Sequence, residues 1–356
     1  MAAAIALAVP ACAQDSIRTL TWTSRFTFYG DNTEFFTPYR LGETLLGANF
    51  SSALSFRPAP RHEVLAGVFG DFRSGDTTSF LTSVRPVLSY RFRTTHSTGV
   101  LGTLITERRH GYLEPLEVMQ LDITRPIEYG GQWIERRKHL DGEVYFNWQA
   151  LNTAATREVI DYGWLLTAKP LPWLHIDWQA HGLHRGGQLF DAGEPVRNNF
   201  ANGLGLRLQT RVPLVDSASV WAYRFWSSGN ANRAIPDSLA RLGRGTYLRA
   251  GIQSHGFQVY FIWWKGKDYL ANEGDNNYNS VGHDAAFYRS DRRYLELAVL
   301  KRIVTRQGIG TDLELRLHKI DNEGSVALRG SKIEYSYRVV VRVPFDVRVW
   351  HDAGMP

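Results

Sequence analysis

One cysteine, Cys12, stands in 356 residues, and it falls in the first few percent of the chain. Disulfides therefore play no part in holding the remainder together. No internal apolar run reaches about 18 residues, which excludes a membrane-spanning helix. Apolar residues at 3.6-residue spacing are hard to find anywhere, so a helical fold is excluded too. The short catalytic signatures are missing as well: no G-x-S-x-G, no glycine-rich phosphate loop and no H-E-x-x-H. Basic residues exceed acidic ones, 41 to 35, for a formal charge of +6. The excess is scattered, and the runs Glu107-Arg108-Arg109-His110 and Glu135-Arg136-Arg137-Lys138 mix both signs. They read as solvated connectors rather than a nucleic-acid surface.

What is present is alternation. From Ile333 to Val349 every second residue is apolar or aromatic, and Glu334, Ser336, Arg338, Arg342, Asp346 and Arg348 stand between. A strand turns successive side chains to opposite faces, so one face meets something apolar and the other something polar. Pro344 marks a place where pairing bends or ends. The pattern recurs in TLTWTSRFTFY, ETLLGANFSSALSFR, EVLAGVFGDFR and VRPVLSYRFR, and on to YLELAVLK and TDLELRLHK. Connectors between these segments alternate in length. The long polar ones lie near 30–42, 74–82, 105–125, 150–156, 184–199, 228–244, 266–291 and 320–330. Tight turns separate them, such as Arg57-Pro58-Ala59-Pro60 and Ser254-His255-Gly256. Long loops on one rim and tight turns on the other are the habit of an up-and-down membrane barrel, whose strands need about 9–11 residues to cross at a tilt.

The expected fold is therefore all-β: a transmembrane up-and-down antiparallel β-barrel of about 16 strands, with 14–18 as the range. Trp22, Phe28, Phe56, Phe72, Phe92, Trp164 and Trp263 fall near strand ends on the apolar faces, where headgroup girdles sit. The N-terminus reads as a secretory leader: an apolar stretch from Ala2 to Val9, then Ala11-Cys12-Ala13. It has no Lys or Arg, which points to a start further upstream, and Pro10 fits a lipid-acceptor cysteine poorly. The expected organisation is residues 1–13 as signal peptide and 14–356 as one barrel domain.

On these residues the mature chain resembles a Gram-negative outer-membrane β-barrel of porin-like size. The final strand approaches the aromatic-ended strand that such proteins use for insertion, although Trp350 is followed by His351-Asp352-Ala353-Gly354-Met355-Pro356. The resemblance implies the outer membrane as location. It implies as partners outer-membrane lipid and lipopolysaccharide and the barrel-assembly machinery. A second copy of the chain or a periplasmic partner is left open, and no nucleic acid is expected.

The polar face carries Arg25, Arg57, Arg73, Arg85, Arg91, Arg93, Arg207, Arg249, Arg316, Arg338 and Arg342. These are the candidate pore-lining residues. Glu63, Asp71, Asp161, Asp177, Glu296, Glu314 and Glu334 share that face, so cross-strand ion pairs compete with a cationic field. The expected function is a channel passing small polar or anionic solutes, or a secreted anionic polymer, past these arginines. The connectors 105–125 and 266–291 are the ones expected to fold inward. The alternative is a closed or plugged barrel acting as an anchor or docking partner, with the segment from Asn32 to Arg40 as a contact surface.

No cofactor and no metal is expected. His175, Asp177 and His181 share a strand face, but about 20 Å separates the two histidines at 3.3 Å per residue. DNNYNS places Asp275, Asn277 and Asn279 like a calcium loop, yet Ser280 and Ala286 stand where glycine and the bidentate acid belong. Catalysis was tested on the lipid-facing surface. Ser24 and Ser52 face outward, no mid-strand outward histidine accompanies them, and the expectation is that the protein is not an enzyme.

Overall fold

Sixteen alternating segments hydrogen-bond in chain order, and the last closes on the first. In the computed structural model the described residues are 18–106, 109–190, 193, 195–232, 242–283, 287–320 and 334–352. The leader with Ala11-Cys12-Ala13, residues 107–108, Ala286 and the connector 321–333 lie outside them. The strands are β1 (Thr19–Glu34), β2 (Glu43–Ala59), β3 (His62–Arg73), β4 (Ser83–Arg93), β5 (Ser97–Thr103), β6 (Tyr129–Arg136), β7 (Leu140–Ala150) and β8 (Glu158–Leu171). They continue as β9 (Leu174–Gly186), β10 (Arg197–Val212), β11 (Val215–Asn232), β12 (Leu242–Ser254), β13 (Phe257–Lys267), β14 (Asp291–Val304), β15 (Gly310–Ile320) and β16 (Glu334–His351). Every neighbouring pair is antiparallel, and β16 pairs β1 to close the barrel.

Closure removes the sheet edges that an open sheet would leave unpaired in hydrocarbon. The short turns, at 60–61, 94–96, 137–139, 172–173, 213–214, 255–256 and 305–309, define the periplasmic rim. Alternation holds along the wall. Trp22, Phe26 and Phe28 of β1 and Leu313, Leu315 and Leu317 of β15 stand on the outer face, exposed to lipid. Tyr29, Asp31, Arg316 and His318 occupy the inner face and are buried. A charge placed on the outer face at mid-strand, Leu297→Arg in β14, is expected to cost about 2–4 kcal/mol. Urea unfolding followed by heat-modifiable gel mobility would read it.

Pro344 has its explanation in register. The β15 ladder on β16 ends at Gly310 opposite Arg342, so Pro344 lies beyond β15 and faces only Arg25 of β1. The missing N–H costs β15 nothing.

The wall is uneven in height. β16 and β11 run 18 residues, whereas β5 runs 7 and β6 runs 8. From the end of β5 the chain turns inward instead of upward. The described residues of the connector 104–128 fill the lumen together with those of 268–290. The first connector carries one turn of 3-10 helix (Arg109–Gly111) and one of α-helix, α1 (Leu121–Thr124). Leu116, Ile123, Tyr269 and Tyr278 of these connectors are fully buried. Leu116, Tyr269 and Tyr278 pack on inner-face aromatics of the wall, among them Phe225, Tyr247, Trp264 and Tyr294, whereas Ile123 packs on Tyr29, Leu45 and Val340.

Backbone bonds stitch the two connectors together: Val118 N–H donates to Glu273 O at 2.7 Å, and Asp275 N–H to Glu114 O at 2.9 Å. The inward folding expected for both is present. The wall is shaped to receive them. Tyr112 donates its hydroxyl to Ala180 O at 2.8 Å, over Gly163, where a Cβ would sit 2.1 Å from that hydroxyl. Only glycine leaves the room.

Candidate functional site

The inner-face arginines are mostly held by carboxylates. Arg57, Arg91 and Arg93 converge on Glu63 at 3.4, 3.9 and 2.7 Å near the periplasmic rim. Arg73 meets Asp71 at 3.1 Å. Arg207 meets Asp177 through two nitrogens at 2.5 and 2.7 Å. Arg342 bridges Asp312 of β15 and Asp122 of α1 at 2.7 and 2.8 Å. Arg249 has aromatic neighbours instead, lying 4.3 Å from the Trp221 ring and 3.7 Å from that of Tyr260. Arg25 stands opposite Ser51 and Pro344, and Arg85 opposite Phe69. Asp177 is spoken for by Arg207, Thr167 and Tyr223, and His181 stands 3.6 Å from Asp161. Asp275 of the DNNYNS segment binds Arg40 at 2.5 Å, and Asn279 ties Ala271.

Arg316 and Arg338 belong to a different constellation. Near the extracellular end of β14, β15 and β16, the inner-face residues Glu296, Tyr294, His318 and Ser336 form a hydrogen-bonded row. His318 Nε2 lies 2.9 Å from Ser336 Oγ. His318 Nδ1 lies 2.7 Å from the Tyr294 hydroxyl. That hydroxyl is 2.6 Å from Glu296 Oε2.

The donors follow from the acceptor at the end of the row. The Tyr294 hydroxyl donates to Glu296 Oε2, and a hydroxyl has one proton to give. Tyr294 therefore accepts from His318 Nδ1–H. His318 Nε2 is then bare and accepts from Ser336 O–H. A hydroxyl bonded to the bare nitrogen of an oriented imidazole is an activated nucleophile. The ring cannot tip freely: Phe35 packs 5.1 Å away and the Tyr294 ring stacks at 6.0 Å.

Two cations flank the serine. Arg316 is its ladder partner across the β15–β16 pair, and Arg338 is the next inner-face residue along β16. With Arg40, Asp31, Thr33 and His318 they line a small pocket. Arg338 is held by Asp31 at 2.6 Å. Arg316 is held by Glu114 and Glu314. The pocket roof is the connector segment from Glu114 to Gln120, tied to Arg40 through Gln120 at 2.7 Å.

The geometry defines a class first: a closed sixteen-stranded outer-membrane β-barrel. The solved structure of OccAB2 from Acinetobacter baumannii is similar, with a TM-score of 0.53 over 92% of this chain and 98% of that one, at 8% identity. OccK11 (OpdR) of Pseudomonas aeruginosa is similar with a TM-score of 0.51 over 93% and 96%, at 10% identity. At such identities the likeness is one of fold. No curated protein sequence matches. Family membership is more specific. The Lipid A 3'-O-deacylase-type family matches residues 13–351, and the chain belongs to it.

That membership overturns the expectation that the protein is not an enzyme, because the family is one of hydrolases named for an ester cleavage. The expectation failed for a spatial reason. A serine–histidine pair was sought on the lipid-facing surface, and Ser336 and His318 face the lumen. Neither was singled out, since residues 18 positions apart meet only once the register of β15 on β16 is known. Their shared inner-face parity was the one signal available.

Proposed function

We propose that the protein is an outer-membrane ester hydrolase that removes a 3'-linked acyl chain from lipid A, with Ser336 as nucleophile and His318 as general base. The observation carrying this reading is the row Ser336–His318–Tyr294–Glu296 inside a member of this family. Ser336 Oγ attacks the ester carbonyl carbon while its proton passes to His318 Nε2. The C–O bond then breaks and the sugar oxygen takes that proton, leaving an acyl-serine. Water, deprotonated by the same nitrogen, releases the fatty acid and restores the serine. Arg316 and Arg338 flank Ser336 and would offset the negative charge that develops on the carbonyl oxygen.

As it stands the pocket has room for about one water. An acyl ester enters only when the roof segment from Glu114 to Gln120 lifts, so hydrolysis is gated by the lumen connector. Purified barrel incubated with 3'-acylated lipid A in mixed micelles is expected to release one fatty acid, read by mass spectrometry. Intact substrate after prolonged incubation of folded barrel sinks the reading.

A second reading is favoured by the fold, which is that of outer-membrane channels. The inner-face arginines would then steer small anions. Planar-bilayer recording separates the two: a channel conducts in stepwise events with anion preference, whereas a plugged hydrolase cleaves without conducting. Because Arg57, Arg91 and Arg93 share one carboxylate, they are the arginines whose replacement by serine is expected to change ion preference most.

A further inference from the structure

The two shortest strands do not cross the bilayer. A crossing strand needs about 9–11 residues, and β5 and β6 have 7 and 8. At about 3.3 Å per residue and a tilt of about 45°, the shorter climbs about 16 Å of a hydrocarbon core of about 30 Å. β5 starts after the tight turn 94–96 and β6 ends before 137–139, so the uncovered half is the extracellular one, in the outer leaflet. Above the pairs Ser89–Gly102 and Gly130–Asn147, β4 runs on to Ser83 and β7 to Ala150 with no described strand between them. Two missing strands leave three inter-strand spacings, about 14 Å. The gap is built by glycine and finished by side chains. Gly102 faces Gly130 where β5 and β6 leave the wall. Gly102 has φ +97°, and a Cβ on it would sit 2.2 Å from Leu88 O. Leu88 N–H donates instead to Thr103 Oγ1 at 3.0 Å. Pro86, next on the same edge of β4, brings no N–H, and its carbonyl accepts from the Tyr129 hydroxyl at 2.8 Å. Across the gap, Trp148 Nε1 donates to Ala150 O at 3.1 Å. Hydrocarbon tolerates a strand edge only when its polar groups are satisfied in this way.

We propose that lipid A enters the barrel sideways through this gap, acyl chain first, an inference that rests on the hydrolase reading. Depth chooses the lipid, because the gap opens to the outer leaflet, where lipid A lies. Apolarity chooses the part that leads. Val84 and Leu88 on one side and Trp148 on the other are exposed to hydrocarbon. An acyl chain lifted over the rim would cross water and expose every methylene, whereas through the gap it stays against apolar surface. The chain then meets the lumen connector. Thr106 and Pro126 are bonded to each other at 2.7 Å at the start and end of that connector, and Ile127 packs on Phe69 and Val87 of the inner face. The same connector roofs the serine pocket, so one movement opens the gap to the lumen and the pocket to the ester.

Two measurements separate the route from the chemistry. In the first, benzoylphenylalanine replaces Arg85, which shares the inner face of β4 with Val87 and Ser89, in a Ser336→Ala barrel placed in vesicles containing lipid A and phospholipid. Light is expected to attach lipid A there several-fold more than to the same probe in place of Trp221, on the inner face of β11 away from the gap. In the second, Val84→Cys and Trp148→Cys are joined by a bismaleimide that spans the gap. Cleavage of lipid A in vesicles is expected to fall at least about tenfold against the same pair capped singly with N-ethylmaleimide. Cleavage of a water-soluble short-chain ester, which needs no bilayer route, is expected to stay unchanged. Heat-modifiable gel mobility confirms that each barrel is folded. No lipid A on Arg85, phospholipid in its place, lipid A cleavage unaltered by the bridge, or equal loss on both esters would each overturn the lateral route. Lipid A captured at Arg85 by a barrel whose parent cleaves neither ester would uphold the route and sink the hydrolase reading alone.

Discussion

Replacing Ser336 by alanine is expected to lower lipid A deacylation by at least about 10³-fold, roughly 4 kcal/mol of transition-state stabilisation, with the barrel still folded. The side chain is small, half-buried and lumen-facing, so its loss opens little space and breaks no wall contact other than the bond to His318. His318→Gln is expected to fall by a similar factor, and the double variant no further, since nucleophile and base act as a unit. Tyr294→Phe isolates the relay. Phenylalanine keeps the ring against His318 and Tyr278 but removes the acceptor for Nδ1–H, so the imidazole loses its imposed tautomer. A loss of about 10–100-fold in kcat with little change in KM is expected. Release of fatty acid from micellar lipid A measures all four. Activity in Ser336→Ala within a few-fold of the parent would show that the nucleophile lies elsewhere.

The wall was legible in the sequence because every crossing strand obeys the same rule. Lipid outside and water or polar side chains inside impose a period of two on each segment, and the rule needs no knowledge of the neighbours. Strand count, rim assignment and the alternation of long and short connectors follow from it directly. The site was not legible for the converse reason. Ser336, His318, Tyr294 and Glu296 are meaningful only as neighbours, and neighbours across a barrel wall are set by register. The register of β15 on β16 is fixed across a 13-residue connector, 321–333, whose length alone does not determine it.

The lumen fill was half legible. Leu113, Leu116, Tyr269 and Tyr278 are large apolar residues in stretches otherwise rich in turn formers, a sign that those connectors have something to bury against. Their ion-pair partners were beyond reach. Asp275 answers to Arg40, 235 positions away, and Glu114 to Arg316, 202 away. A list of cations on one strand face does not tell which carboxylate each one meets.

Unlatching the lumen connector is expected to convert a closed barrel into a conducting one. Arg109 is the latch. It is buried and grips Glu117 and Glu128, while its neighbour His110 grips Glu128 at 2.9 Å and Glu143 of β7, and stacks on the Tyr145 ring at 3.8 Å. Arg109→Ala leaves Glu117 buried without its main counter-charge and Glu128 with His110 alone, at a cost of about 3–5 kcal/mol to the docked arrangement. The wall does not depend on this cluster, so the connector should leave the lumen while the strands stay paired. Sixteen-stranded barrels cleared of their fill leave an aqueous channel. Planar-bilayer recordings are expected to pass from near silence in the parent to sustained stepwise current in the variant.

The pH dependence follows from the same residues. Burial alone would depress the His110 imidazolium, but Glu128 and Glu143 outweigh it and push its pKa up to about 10. Its contribution to docking is therefore complete below its ordinary value near 6.5 and is lost as pH rises through about 10. Burial pushes Glu128 the other way, yet the bond from His110 and the charge of Arg109 hold its carboxyl below the usual range. That contribution is complete above about 4.5 and is lost as pH falls below it. Open probability in the parent should be lowest between those limits and rise on both sides, whereas Arg109→Ala should conduct throughout. A parent silent from pH 4 to 11, or a variant as silent as the parent, would show that the aromatic packing of Leu116, Tyr269 and Tyr278 holds the lumen shut without the latch.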